Sequence, residues 1–371
     1  MKQTRIFTRW LPRSLCLFIL FQFQGAGNAS NRTPGGRHEV RLIEADDPNL
    51  QYTGRIDFTD PKRPRFWAPG AYIKARFKGP LCDVVVNDEQ QRGTDHNYLE
   101  IVVDDGKPIR LRTTGAANTI RAADGLSDGP HAITVCKDTE SGIGYLEFIG
   151  FRCEGLLPSP PRPARRLEFI GDSITCGAGS DLSKVACDKG QWYDQENAYL
   201  SYGPLVAREL GAQWHLTAVS GIGLVHSCCE MTITMPEVFD KINLRGNAGI
   251  WDFKRYQPDA VTICLGQNDG EEGPEAYRDA YVGFIQKIRS HYPRAQIICL
   301  TSPMAEPSLN AVLRENVRQV VQRVNRLGDK RVQGFFFYRS YRDGCGGHPD
   351  LEQHQLIADE LSGYLKSLLG W

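Results

Sequence analysis

Between residues 158 and 163 four of six positions are proline, and the spacing of apolar residues differs on the two sides of that stretch. Upstream the period is two. Ile73, Ala75 and Phe77 alternate with Lys74, Arg76 and Lys78, and Ile109 and Leu111 alternate with Arg110 and Arg112. Further strands are expected at 84–86, 99–103, 133–135 and 146–151, separated by turn signals such as Asp104-Asp105-Gly106 and Asp128-Gly129-Pro130. Short strands with no helical period between them predict an all-β sandwich of the jelly-roll kind over 40–156. Downstream, apolar segments at 167–170, 215–219, 260–265, 296–301 and 333–338 alternate with helical stretches at 198–210, 274–291, 308–326 and 350–369. That rhythm predicts an α/β domain over 166–371, flavodoxin-like, with a parallel sheet, helices on both faces and a site at the carboxyl ends of the strands. The prolines hold the chain extended and semi-rigid, so 157–165 reads as a linker.

The length of 371 residues fits two domains. Forty-four basic residues balance forty-four acidic ones, which leaves no electrostatic case for nucleic acid or an anionic membrane and favours a neutral substrate. Residues 1–29 read as a signal peptide: Lys2, Arg5, Arg9 and Arg13 precede an apolar segment at 15–23 and a small-residue cleavage site, Gly27-Asn28-Ala29. The apolar segment is too short to span a bilayer, so the mature chain is expected to be secreted or periplasmic and free of the membrane. Removing it takes Cys16 and leaves ten cysteines, an even number that points to some disulfides. Cys264 and Cys299 fall inside apolar runs and are expected as buried thiols. Asn28 and Asn31 begin glycosylation sequons in the same leading region.

The chemistry is concentrated where strands end. Apolar residues 167–170 run into Gly171-Asp172-Ser173 and then Gly177, Ala178 and Gly179, the pattern of a buried strand, a tight turn and an exposed serine. A serine hydroxyl is a weak nucleophile until a base takes its proton, and its tetrahedral intermediate needs hydrogen-bond donors. Candidates for both follow later strands: Val219-Ser220-Gly221-Ile222-Gly223, Gly266-Gln267-Asn268-Asp269, and Asp343-Gly344-Cys345-Gly346-Gly347-His348-Pro349. Ser173 is read as the nucleophile and His348 as the general base. The Ser173 and Gly221 N–H groups and the Asn268 amide form the expected oxyanion hole. Taken singly, each glycine or asparagine reads as a plain turn and Ser173 as a helix cap; their placement after successive strands outweighs that. Asp172 is expected to cap the turn. Among the other histidines, His215, His291 and His354 lie within or beside regular elements, and His226 is the lesser rival for the base.

These blocks resemble those of the SGNH, or GDSL-type, hydrolases: Gly171-Asp172-Ser173, Gly221, Gly266-x-Asn268-Asp269 and His348-Pro349. With a strand-rich half in front, the chain is similar to carbohydrate esterase family two over 50–371. Arg76-Phe77-Lys78-Gly79, Asn97-Tyr98, Val103-Asp104-Asp105-Gly106 and Gly125-Leu126-x-x-Gly129-x-His131 fit that family. The resemblance implies removal of acetyl groups from polysaccharides or oligosaccharides of the xylan or mannan type, through an acetyl-enzyme, with no metal or cofactor. The expected protein is a monomer. A binding protein with an inactive hydrolase half, or an esterase acting on lipid or peptidoglycan, are the alternatives. One departure stands out. SGNH enzymes often carry an aspartate three residues before the histidine, where this chain has Cys345, or two before, where it has Gly346. Either Asp343 curls back to the imidazole, or a backbone carbonyl of the Gly346-Gly347 turn accepts its proton and leaves a Ser–His dyad, the reading favoured.

Cysteines crowd the same loops: Cys176, Cys228, Cys229 and Cys345. Zinc binding by His226, Cys228, Cys229, Cys345 and His348 is a minor alternative to the metal-free reading. A disulfide from Cys228 or Cys229 to Cys345 is expected instead. Trp192 and Tyr193, in the polar insertion after the nucleophile, are candidate platforms for a sugar ring. Phe66, Trp67 and Tyr72 in the first half are read as core rather than as binding aromatics.

Overall fold

A computed structural model describes residues 39–246, 249–271 and 273–371. The signal peptide expected at 1–29, Cys16 and the sequons at Asn28 and Asn31 lie outside the described residues. The described residues form one compact unit.

Its first half is two antiparallel six-stranded sheets. One is centred on Tyr72–Lys78 and Pro130–Lys137, the other on Cys82–Asp88 and Leu146–Cys153. Strand Tyr72–Lys78 alternates as its sequence predicts, with Ile73, Ala75 and Phe77 buried against Val84, Val86, Leu99 and Phe148 in one core. The alternation read for Ile109–Arg112 is reversed at its first pair, while Leu111 stays half-buried and Arg112 exposed. Arg110 is 4% exposed and Ile109 50%, because the inner face of this strand meets the second half of the molecule, where carboxylates and carbonyls await the guanidinium. Phe66, Trp67 and Tyr72 are buried, as the core reading requires. Most strands that the period did not reveal, such as Gln51–Thr53 and Ile56–Asp57, are two to four residues long and too short to show one; the seven-residue Ala117–Ala123 was missed because Ile120 is its only large apolar residue.

The proline-rich stretch is strapped to the sandwich. Its first residue, Leu157, ends a strand paired with Tyr72–Lys78, Ser159 donates to the Asn49 carbonyl at 2.8 Å, and the Pro160 carbonyl accepts from Gln51 at 2.7 Å.

The second half holds five parallel strands: β1 (Arg166–Gly171), β2 (Gln213–Ala218), β3 (Ala260–Cys264), β4 (Gln296–Leu300) and β5 (Val332–Phe335). Their spatial order is β2-β1-β3-β4-β5. The order reverses direction beside β1, and a crevice opens at the carboxyl ends there. All residues of β2 and β3 are buried, as expected when helices cover both faces. The helices are α1 (Ser173–Cys176), α2 (Tyr202–Glu209), α3 (Met235–Val238), α4 (Pro274–His291), α5 (Pro307–Arg326) and α6 (Leu351–Leu369). Helices α4 and α5 bury Tyr281, Ile285, Val317 and Val320 on one face, while α2 and α6 bury Val206, Leu361 and Leu365 on the other.

Helix α2 starts four residues later than its sequence pattern predicts because 194–199 is engaged by the sandwich. Arg110 donates to the Asp194 carbonyl at 2.9 Å, and Asn197 donates to Glu100 at 3.0 Å and to Asp181 at 2.8 Å. The Ala198 N–H donates to the Asp138 carbonyl at 3.2 Å. This polar seam joins the two halves without a hinge.

Candidate active site

Strand β1 delivers Gly171 to a point where a Cβ would fall 2.0 Å from Thr175 Oγ1, so only glycine permits the turn. Asp172 is buried and caps α1, its carboxylate accepting the Ile174 N–H at 3.1 Å. Burial, with Asp269 nearby, pushes the Asp172 carboxyl up to about 7. Ser173 follows as the first residue of α1.

The loop after β5 brings His348 onto it. His348 Nε2 lies 2.8 Å from Ser173 Oγ, and Nδ1 lies 3.1 Å from the Cys345 carbonyl oxygen. A carbonyl only accepts, so Nδ1 carries the hydrogen and the Nε2 lone pair faces the hydroxyl. Burial lowers the His348 pKa, with the Cys345 carbonyl acting in the opposite direction. Asp343 does not take the orienting position. Its carboxylate accepts from Gln353 Nε2 at 2.7 Å, and its N–H donates to Gln353 Oε1 at 2.8 Å. The acceptor is a backbone carbonyl, one residue ahead of the Gly346-Gly347 pair. Those two glycines have φ of +61° and +71°, left-handed values that fold Cys345 O back under the ring and that larger residues resist.

The expected bridge from Cys228 or Cys229 to Cys345 does not form. Cys345 pairs with Cys187, 158 residues away, which staples the loop carrying His348 to the insertion after α1. Cys228 pairs with its neighbour Cys229. Sulfurs in disulfides are not the thiolate ligands that the zinc alternative needs. Cys264 and Cys299 are buried thiols, as expected.

Among the described residues, no protein acceptor takes the backbone N–H of Ser173 or of Gly221. Asn268 Nδ2 donates to the Ile222 carbonyl at 2.9 Å and lies 3.4 Å from Asp172 Oδ2. The Asp269 carboxylate ties the two loops together by accepting the N–H groups of Leu224, Val225 and His226 at 2.7–3.0 Å. His226 is exposed with its Nδ1 3.2 Å from the Asn268 carbonyl, and it makes no contact with Ser173. Ser173, Gly221, Asn268 and His348 line one open cleft of about 1070 Å³. Trp192 lines it too and is 51% exposed. Tyr193 is 1% exposed, its hydroxyl accepting the His96 N–H at 3.4 Å, so it offers no face to a ligand there.

Two residues, Arg245 in the cleft wall and Glu140 behind it, have no signal in the sequence. Glu140 comes from the sandwich and is fully buried; its Oε2 accepts the Ser220 N–H at 2.5 Å and its Oε1 accepts from Arg245 at 2.7 Å. Arg245 also donates to the Ser220 carbonyl at 3.1 Å. These contacts join positions 25 to 105 residues apart, and no local pattern announces them.

Residues 52–161 match the model of the carbohydrate esterase 2 N-terminal domain, and residues 169–358 match that of the GDSL-like lipase/acylhydrolase family. Among curated proteins, the chain is 33% identical to the cellulase/esterase CelE of Acetivibrio thermocellus over 88% of its own length, but spans only 40% of that larger protein. It is 26% identical to an acetylxylan esterase / glucomannan deacetylase of Cellvibrio japonicus, covering 93% of this chain and 96% of that one. Among solved structures, a family two carbohydrate esterase from Clostridium thermocellum in complex with cellohexaose superposes with a TM-score of 0.79 at 31% identity, over 87% of this chain and 99% of that one. Sequence, two-part architecture and fold agree, and the chain belongs to carbohydrate esterase family two, with a GDSL-type ester hydrolase as its second half.

Proposed function

We propose that this protein removes O-acetyl groups from xylan- or mannan-type polysaccharide through an acetyl-enzyme, using Ser173 and His348 as a dyad. The observation that carries the reading is the continuous relay from the Cys345 carbonyl through the imidazole to the Ser173 hydroxyl, at 3.1 and 2.8 Å. Ser173 Oγ attacks the acetyl carbonyl carbon while His348 Nε2 takes the hydroxyl proton. The former carbonyl oxygen becomes an oxyanion, held by the N–H groups of Ser173 and Gly221 and by the Asn268 amide, whose longer contact to Asp172 is free to give way. Each such donor stabilises the transition state by about 2.7 to 4 kcal/mol. The imidazolium then protonates the departing sugar oxygen, leaving acetyl-Ser173. Water, deprotonated by the same Nε2, attacks the acyl carbon and releases acetate with the serine restored.

Arg245 and Glu140 act as positioning residues in this reading. A trans peptide is planar with its carbonyl and N–H on opposite edges. Arg245 grips the Ser220 carbonyl, which fixes where the Gly221 N–H of the same peptide points and strengthens it as a donor. Glu140 anchors Arg245 and the Ser220 N–H from the other half of the molecule. Trp192 supplies a flat apolar face at the mouth for a sugar ring. The two-sheet first half is read as a jelly roll, and the whole as a secreted or periplasmic monomer. No helix among the described residues is long and apolar enough to cross a membrane.

Acetate release from acetylated xylan, measured for wild type beside Ser173→Ala, tests the proposal. Release by wild type alone supports it. Release by both variants, or by neither, overturns it, the second result favouring a binding protein.

A further inference from the structure

A second cavity, about 360 Å³, opens where the sandwich meets the amino ends of β1 and β2. Arg166 opens β1 and Ser173 follows its other end, so at about 3.3 Å per residue the two sites are separated by roughly 20 Å. Arg162, Arg166, Arg255 and His215 line this cavity, with Phe58 and Tyr256 as ring walls. Its positive charge meets no carboxylate, although Arg162 donates to the Tyr52 carbonyl at 2.6 Å and to Thr53 Oγ1 at 3.2 Å. Elsewhere arginines meet carboxylates, as in Arg55–Glu168 at 3.1 Å, Arg65–Glu147 at 2.8 Å and Arg289–Asp329 at 2.8 Å. None of the three cavity arginines forms an ion pair with a described residue. Asp259, the nearby carboxylate, is engaged by the main-chain N–H of Arg166 at 2.9 Å rather than by its guanidinium.

His215 adds an independent observation. It is 2% exposed, and its Nε2 accepts the Gly54 N–H at 3.0 Å, which places the ring hydrogen on Nδ1. That Nδ1 is buried without a partner, and such donors are seldom left so. Burial and then the charges of Arg55, Arg162 and Arg166 hold the ring neutral, far below the usual histidine range. The ring stacks on Tyr256 at 3.6 Å, and Arg255 sits 4.6 Å over the Phe58 ring. The cavity thus combines cationic and neutral donors with flat walls, and its volume suits one monosaccharide.

We propose that this pocket binds a carboxylate carried on a sugar-sized ring, a uronic-acid unit, at a site separate from Ser173. Arginines supply paired donors that match a carboxylate, and Phe58 and Tyr256 bound the space a ring would fill. A phosphate shares the anionic chemistry, so the test separates the two. Calorimetric titrations of the full chain use sodium glucuronate, glucose and inorganic phosphate at matched ionic strength, with acetate release as the check on folding. Glucuronate is expected to saturate one site while glucose does not. Arg166→Gln and Arg255→Gln are each expected to weaken that binding about tenfold or more, with acetate release unchanged. No saturation by glucuronate below about 10 mM, or equal binding by both folded variants, overturns the proposal. Phosphate binding as tightly as glucuronate overturns the ring-borne carboxylate. If acetate release fails in wild type but glucuronate still binds, the proposed activity is lost and this one stands.

Discussion

At the scale of single residues, a carbonyl stands where a carboxylate more often serves. A dipole fixes the tautomer of His348 but stabilises the imidazolium less than a full charge would. With burial lowering its pKa, His348 stays in its unprotonated, active form to lower pH than a free imidazole. The acid limb of kcat/KM is therefore expected below about pH 6.5, the ordinary histidine value, as a pH–rate profile on a neutral acetyl ester will show. Asp343→Asn is expected to leave kcat within about twofold, while His348→Ala lowers it by about a thousandfold or more; steady-state kinetics decide. The meeting of Ser173, Gly221, Asn268 and His348 in one cleft was legible in the sequence because each sits where a predicted strand must end. The Cys345 carbonyl was not, since a backbone oxygen has no letter of its own. Nor was the burial of Tyr193 beside the exposed Trp192, because adjacent aromatics in a loop carry no period that assigns faces.

At the scale of elements, Gly221, Asn268 and His348 reach the cleft on loops and Ser173 from the first turn of α1, and the bracing of those loops comes from far along the chain. The Cys187–Cys345 bridge closes a span of 158 residues. Cys187→Ser is expected to cost about 2–4 kcal/mol of stability and to lower kcat more than it raises KM, because it loosens the loop carrying His348; thermal unfolding and kinetics measure the two effects. Pairing of cysteines is decided by which loops meet, so the sequence offered Cys228 or Cys229 as partners when the long insertion supplied Cys187. The grip of Arg245 on the Ser220 carbonyl predicts that Arg245→Ala lowers kcat and kcat/KM together by about tenfold or more, with Glu140→Gln milder. The strand Ile109–Arg112 shows why alternation gives a period but not a direction: a buried face can be polar when a second domain supplies partners for an arginine.

At the scale of the whole molecule, the halves are joined by buried charge. Burial pushes Asp138 up to about 7 and Glu100 up to about 9. The folded state therefore keeps protons that the unfolded chain has released above the usual carboxylate range, so stability falls as pH rises toward those values. Between about pH 6.5 and 8 the loss is expected to be on the order of 1 kcal/mol, and Glu100→Gln flattens it; calorimetric unfolding across that window is the measurement. Lys137, pushed down to about 8 by burial, works in the opposite sense above that pH. The strand-rich first half and the strand–helix alternation of the second were readable because periods of two and 3.6 are local, whereas the spatial order of the strands and the seam between the halves were not. Glu140 gives that seam a further meaning. A recombination that exchanged the front half for one from an unrelated hydrolase would carry away the anchor of the loop that holds Ser220 and Gly221, so such a chimera is expected to lose the cleft's geometry even where both halves fold.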